Sequence, residues 1–450
     1  MSASGGRVVV VDAGIAGMLA ARAVAGHADS VEILERDTLP TDPVPRGRVP
    51  QGRHIHQLLT AGLELLEGWF PGIGAELRGR GAVPLDGHTG WVHHGGAYRA
   101  RGRWGPVLLS QTRPLLEEVL RARVLALPTV TLTDGRPVRE VLLEDGRVRG
   151  VVVADSLLPA DLVVDASGRS SRIVAELART GLLDPPVTRV GIDIGYSSLL
   201  MRRHDDDFAG GFALCQQAGT MRGGAVVPVE PDHDGDRWQV TTMGVHGDVP
   251  PADREGLLAF ARSLPSPTTA QLLERCEWLS PIETYRFPSS QWRHFEKADL
   301  PPGLVFLGDA SCSFDPVYGQ GMASAALQAR ALEQLAARGG VGAADLPKQF
   351  HRKAARVITT PWQIAVGGDF AHPQTVGARP PLATQVNAWT EQVIRAAHTS
   401  VPVARTFSGV LQLDSSPTAL FSPQTVARTL VAARRSPVVT GEPVRHPRVG

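Results

Sequence analysis

Asp12-Ala13-Gly14-Ile15-Ala16-Gly17 stands between a β-branched run at residues 7–11 and an Ala-rich run at 18–26, and a second strand-like run at 31–34 ends on Glu35. Strand, tight turn, helix and strand within about 30 residues make the βαβ unit of a doubly wound sheet. In that unit Gly14 and Gly17 let the backbone approach a pyrophosphate and let helix and strand pack closely. Ala16 lies in the first helical turn, whose N–H groups face the phosphates, and Glu35 hydrogen-bonds a ribose hydroxyl. Arg36, next in the chain, is counted with these contacts. The alternative is a Gly-rich turn in some other α/β fold. One residue departs from the pattern: Asp12 replaces the first fingerprint glycine. Asp tolerates left-handed backbone angles better than most residues. Its charge is a separate difficulty. A carboxylate about 5 Å from a phosphate, at an effective dielectric near 20, repels by roughly 3 kcal/mol, or about two decades of affinity.

A second small-residue turn follows a strand at 162–165, in Asp165-Ala166-Ser167-Gly168-Arg169; it reads equally well as a functional loop or a structural strand exit. The third segment is the most specific. A buried run at 304–307 meets Gly308-Asp309, and Asp315-Pro316-Val317-Tyr318-Gly319-Gln320-Gly321-Met322 opens an Ala-rich helix over 322–337. Asp309 is placed to accept from a flavin ribityl hydroxyl. The backbone of residues 319–322, at a helix start, is suited to the electron-rich N1/O2 edge of the ring, where a helix N-terminus stabilises the anionic reduced form.

The elements that position these turns follow from the hydrophobic pattern. Helices are expected over 56–69, 113–125 and 252–278, strands over much of 190–245 with 225–229 and 238–245 as a pair, and a hairpin across Asp145-Gly146. A chain of 450 residues is too long for one core. The expected fold class is α/β: a Rossmann-like FAD domain (1–82, 111–180 and 290–345), a mixed β-sheet substrate domain (83–110 and 181–289) and a helical C-terminal region (346–450). A net charge of +1 gives no reason to expect nucleic acid or anionic lipid as a partner. Cys215, Cys276 and Cys312 are too few and too scattered for a disulfide framework or a CxxC metal site, which fits a cytoplasmic setting. No apolar run reaches the roughly 20 residues of a membrane span.

Together the three turns resemble the flavin monooxygenase family that includes the aromatic hydroxylases. Arg46-Gly47-Arg48-Val49-Pro50-Gln51-Gly52-Arg53-His54-Ile55-His56 and the 314–322 segment resemble, within it, the bacterial polyene epoxidases of polyether pathways, such as the lasalocid epoxidase. Trp362 and Gly367-Gly368-Asp369-Phe370 extend that likeness more weakly. The resemblance implies FAD as cofactor, with Arg46 and Arg113 as contacts, Asp309 at the ribityl chain, and Pro316, Gly319, Gly321 and Met322 at the ring. It also implies O2 as co-substrate, oxygen transfer through a C4a-hydroperoxide, and NAD(P)H or a partner flavin reductase as electron source. Ser167 stands where aromatic hydroxylases carry Asp, which sets tight NAD(P)H docking in question. The Trp-x-Trp-x-Ile-Pro segment of tryptophan halogenases is absent from the sequence.

The activity so implied is epoxidation of an apolar natural product, with no catalytic side chain named because the flavin carries the chemistry. Such a reaction needs no protein base, and no acid–base pair stands out in the sequence. Phenol hydroxylation, flavin-dependent alkene reduction and a flavin-poor binding protein are the alternatives. No metal site is assigned: His54 and His56 belong to the loop and helix start, His93-His94 to a solvated turn, and Asp205-Asp206-Asp207 to an exposed loop. Trp91, Tyr98, Trp104, Phe212 and Trp238 line either a substrate cavity or a core.

Overall fold

Val8, Val9 and Val10 are almost wholly buried, as a strand covered on both faces requires. The computed structural model, which describes residues 5–105, 107–208, 211–216 and 221–435, places them in β1 (Gly6–Val11). β1 pairs in parallel with β2 (Ala28–Leu34) on one side and with the Leu162–Asp165 strand on the other. Leu304–Phe306 and Val130–Thr133 complete a five-stranded parallel sheet. Val130–Thr133 is an edge strand whose partly exposed residues give little hydrophobic signal in the sequence. The register sets Val11 beside Leu34 and Asp165, and Asp165 beside Phe306. All three small-residue turns therefore leave the same carboxyl edge of the sheet, where α/β proteins bind ligands.

Helix α1 (Ile15–Ala25) returns along this sheet and packs against the Gly321–Gly339 helix. Its buried face is largely alanine, which lets both neighbours come close. Gly17 is obligatory at the start: a Cβ there would lie 1.8 Å from the carbonyl oxygen of Asp12.

A second, larger mixed sheet is built mainly from Val187–Arg202, Phe212–Gln216, Arg222–Asp232, Gly235–Gly244 and Glu283–Arg293, and Gly90–His94 joins its far edge. Ala225 pairs with Thr241, as the alternation predicts. The 145–146 hairpin also forms, with φ of +51° and +71° at Asp145 and Gly146, the left-handed pair that a type I′ turn needs. Two expected helices differ. The 252–278 stretch divides into Arg254–Arg262 and Thr268–Arg275, because Pro265 and Pro267 interrupt it. The 56–69 helix begins only at Thr60, after a single 3-10 turn at Pro50–Arg53.

The C-terminal region is helical, with Leu346–Asp369, Ala383–Ala397, Val401–Leu411 and Pro423–Ala432. Val393, Ala397, Val403 and Phe407 share a core with Phe212 and Val227 of the large sheet. Among the described residues no helix is long and apolar enough to cross a membrane.

Gly17→Ala should force β1 and α1 apart and destabilise the protein by about 1–3 kcal/mol, the usual cost of overpacking. Thermal unfolding followed by circular dichroism checks this; an unchanged Tm would mean that the turn can relax around the added methyl.

Candidate functional site

At the β1–α1 turn Asp12 adopts φ +86°, the left-handed conformation for which glycine is the usual solution. Its Oδ2 accepts the Gly14 N–H at 2.9 Å. Glu35 Oε2 accepts the Ala13 N–H at 2.9 Å, and Arg46 Nη1 donates to the same oxygen at 2.9 Å. Arg46 Nε lies 3.4 Å from Glu117 Oε2, while Arg113 Nε donates to Glu117 Oε1 at 2.7 Å. Asp12, Glu35 and Glu117 thus surround Arg46, with Arg113 behind them. Glu35 and Arg46 are 1% and 6% exposed, so water screens this cluster poorly. Burial, followed by the Glu35 charge, raises the Asp12 pKa to about 7 against the pull of Arg46. Near neutral pH Asp12 is therefore substantially protonated, and the repulsion expected between it and a phosphate is relieved by a proton. Arg36 is exposed at the rim, its Nε 3.9 Å from Asp37 Oδ1.

The distant segment closes onto this turn. Gly308 has φ +65°, and a Cβ on it would come within 2.8 Å of Ala16 Cβ. Its N–H donates to Gln328 Oε1 at 3.1 Å. Leu307, Gly308 and Ala310 are buried while Asp309 opens outward, in the field of Arg113, Arg169 and Arg293. Pro316–Tyr318 makes a 3-10 turn that Asp315 caps through the Val317 N–H at 2.9 Å. Gly319 then turns the chain at φ +65° into the Gly321–Gly339 helix. Neither that helix nor α1 has a side-chain cap from its own N-cap residue or an acid in its first turn; at α1 Asp12 holds the Gly14 N–H, and the N–H groups that follow it remain for an acceptor. Two uncapped helix starts, a glycine cradle, an open carboxylate at Asp309 and a buried Arg46 Nε without a hydrogen bond fit a flavin dinucleotide.

The Asp165 turn is internally satisfied. Asp165 accepts from the Ser167 N–H at 2.9 Å and from the hydroxyls of Ser167 and Ser171. Arg169 donates to Ser289 and Ser313 and so bolts the parallel sheet to the large one. Here the structural reading of the segment accounts for its residues.

Beside the Pro316–Tyr318 turn lies a cavity of about 640 Å3. The large sheet forms one wall through Tyr196, Phe212 and Thr241; the C-terminal helices form the other through Ile364, Ile394 and Phe407. At its cofactor end two buried carboxyls, Asp315 and Asp369, are hydrogen-bonded to each other, 4% and 2% exposed. Burial pushes both pKa values up, Asp369 the further because it also faces Asp315. No donor reaches Asp369 Oδ2 among the described residues, so a proton shared by the pair is what makes the contact favourable. Tyr196 Oη, also without a partner there, lines the same cavity. This acid pair corrects the sequence reading, in which none was seen. The only local hints were Asp315-Pro316 and Gly368-Asp369. Gly368 is needed because a Cβ on it would lie 1.8 Å from the Tyr318 hydroxyl.

Other residues fall differently from expectation. His93 and His94 belong to a strand, not a solvated turn, and His93 is 7% exposed. Asp205 and Asp206 are exposed, but Asp207 is buried and accepts the Trp238 indole N–H at 2.8 Å. Of the five aromatics, Trp104 and Phe212 line the cavity, whereas Trp238 is core. His54 is buried, its Nδ1 2.8 Å from Ser198 Oγ, and His56 Nδ1 lies 3.1 Å from the His54 carbonyl oxygen.

The fold matches solved flavoenzymes. The flavin-dependent brominase Bmp2 superposes with a TM-score of 0.61 at 14% identity, covering 95% of this chain and 93% of that one. For pqsL, described as a probable FAD-dependent monooxygenase from Pseudomonas aeruginosa, the TM-score is 0.62 at 17% identity, over 92% and 100%. The tetrameric form of 2-methyl-3-hydroxypyridine-5-carboxylic acid oxygenase gives 0.59 at 16%, over 92% and 98%. Together with the two opposed turns, this defines the fold, which is that of these solved structures. Protein Rv3254 of Mycobacterium tuberculosis (strain ATCC 25618 / H37Rv) is 31% identical over 436 residues, covering 89% of this chain and 88% of the relative, and the chain belongs to the family of that protein. No protein-family profile matches it.

The Asp12 geometry sets a pH dependence. Its folded pKa is raised, so the stability it contributes is complete below its unfolded value of 3.8 and lost as pH rises through about 7. Bound phosphate favours the protonated form further. FAD affinity, read by fluorescence titration, should therefore fall above pH 7, by at most about tenfold per pH unit. Asn tolerates the left-handed angles and can still accept the Gly14 N–H, so Asp12→Asn should remove this slope. Asp12→Gly should bind FAD at least as tightly as the parent, and weaker binding would show that the carboxylate is an asset.

Proposed function

We propose that the protein is an FAD-dependent monooxygenase that transfers one oxygen atom from O2 to a largely apolar small molecule, by alkene epoxidation. One observation carries this reading: the apolar cavity opens onto the Pro316–Gly319 turn, beside the uncapped helix start suited to the flavin ring edge. Bound and reduced, FAD supplies the electrophilic oxygen. The chain's own residues do the rest. The first turn of α1, from Gly14 to Gly17, meets the pyrophosphate. Arg36 at the rim is open to the ribose, while Glu35, buried and accepting from Ala13, Asp37 and Arg46, shapes the turn beside it. Arg46 and Arg113 balance the charge. Asp309 holds the ribityl chain, and Gly319, Gly321 and Met322 meet the ring. The two walls exclude water and hold the alkene close to the reacting centre. Electrons come from NAD(P)H or a partner reductase, and the setting is cytoplasmic. The resemblance to polyether-pathway epoxidases such as the lasalocid epoxidase supports this choice.

The Asp315–Asp369 pair favours a second reading, phenol hydroxylation. A pair sharing one proton retains one negative charge, and that carboxylate can take a phenolic proton at the cavity wall.

Purified holoprotein given reductant, O2 and panels of polyenes and phenols decides between them. Alkene products heavier by one oxygen support epoxidation; turnover of phenols alone supports the second reading. Products carrying added hydrogen and formed without O2 would point instead to a reductase and overturn both. Asp369→Asn should leave alkene oxygenation within a few-fold of the parent, whereas phenol turnover that depends on the pair should fall about 100-fold or more.

A further inference from the structure

Arg99 follows the Gly90–His94 and Ala97–Tyr98 hairpin, anchored by its N–H to the Val92 carbonyl oxygen at 2.8 Å. Its side chain lines the cavity and is 7% exposed. The guanidinium sits 5.1 Å from the Trp104 ring centre and 5.3 Å from that of Phe407. Nη1 donates to Ser408 Oγ at 3.1 Å, its one side-chain hydrogen bond among the described residues. It has no ion-pair partner there either. None of the carboxylates of the lining, Asp86, Glu391 and Asp414 included, forms an ion pair with it among the described residues, and burial lowers its pKa to about 10. Arg99 therefore stays cationic at neutral pH. His94, stacked on the same Phe407 ring at 6.2 Å, is held neutral by burial and by Arg99, so it adds no second positive charge there.

A buried guanidinium is ordinarily paired, because an isolated charge loses its hydration and gains nothing in return. Two aromatic faces and one hydroxyl compensate only in part. Most of its donors remain for something that enters the cavity. Leu85, Val92, Leu214 and Val227 of the lining belong to one apolar cluster with Trp104 and Phe407.

We propose that Arg99 is the anchor for a carboxylate head group, and that the substrate is an amphipathic acid whose apolar body runs along the cavity toward the Pro316–Tyr318 turn. This rests on the reading of the cavity as the substrate site. It sharpens the expectation of a purely apolar substrate: a neutral hydrocarbon would leave the cation unpaired, and an amine would be repelled by it.

Binding needs neither turnover nor oxygen, so the proposal is tested by calorimetry on the full chain with dodecanoate, its methyl ester and dodecylamine. The acid is expected to bind about 10–100-fold more tightly than the ester, the range of a charge-assisted hydrogen-bonded pair, and the amine more weakly than either. Arg99→Met should abolish the preference for acid over ester while leaving ester affinity near the parent's. Arg99→Lys, which keeps the charge without the fork, should retain part of the preference and stands in if the Met variant does not fold. Equal binding of acid and ester by the parent, or a preference that survives Arg99→Met, would overturn the assignment. Acid preference without oxygenated product would sink the monooxygenase reading alone; oxygenation with no acid preference would sink this one alone.

Discussion

Everything at the cofactor site depends on how closely Gly308 approaches Ala16. These residues are far apart in the chain, yet no side chain separates the two turns. That contact brings Asp309 to the mouth of the groove that begins at Gly14, so one extended ligand can meet both. It requires glycine at position 308 twice over, once for the left-handed angle and once for the space. The parallel sheet enforces it, since Leu304–Phe306 pairs directly with Leu162–Asp165. Arg169 and Arg293 then tie this arrangement to the large sheet. Arg293 donates to the carbonyl oxygens of Ala310 and Arg169, at 2.9 and 2.7 Å.

Charge is handled differently at the two ends of the site. Around Arg46 three carboxyls compete for one guanidinium, and a proton on Asp12 relieves the excess. Around Asp315 and Asp369 no cation intervenes, and a shared proton makes the contact tolerable, helped by the Val317 N–H on Asp315 and the Ser290 hydroxyl on Asp369. In both places burial sets the protonation state before any ligand arrives.

Most of the nucleotide half was legible in the sequence because it is local. Residues 7–35 carry a complete βαβ signal, and Asp309 with residues 319–322 read correctly as turn and helix start. The cavity was not legible. Asp315 caps the Pro316–Tyr318 turn and Asp369 ends the Leu346–Asp369 helix, and only tertiary packing makes them neighbours. Nothing around Arg99 in the sequence marks it, since burial rather than sequence context distinguishes it. The His93-His94 pair misled because polar residues on a strand facing a cavity resemble a solvated turn. Helix boundaries erred where proline, at 265 and 267, outweighed a continuous apolar pattern.

The cavity takes one wall from the large sheet and the other from the helices after residue 345. Gln320, inside the ring-edge turn, reaches that second wall through Nε2 to the Leu411 carbonyl oxygen at 3.0 Å. The parallel sheet and its glycine turns contribute little to the cavity beyond the Pro316–Gly319 end. Substitutions across residues 383–410 can therefore reshape the cavity wall at a distance from the β1–α1 and Gly308 turns, whereas those near Leu411 also bear on Gln320. The cavity wall and the glycine turns thus come from different stretches of the chain, and Gln320 is a point where the two are stitched together.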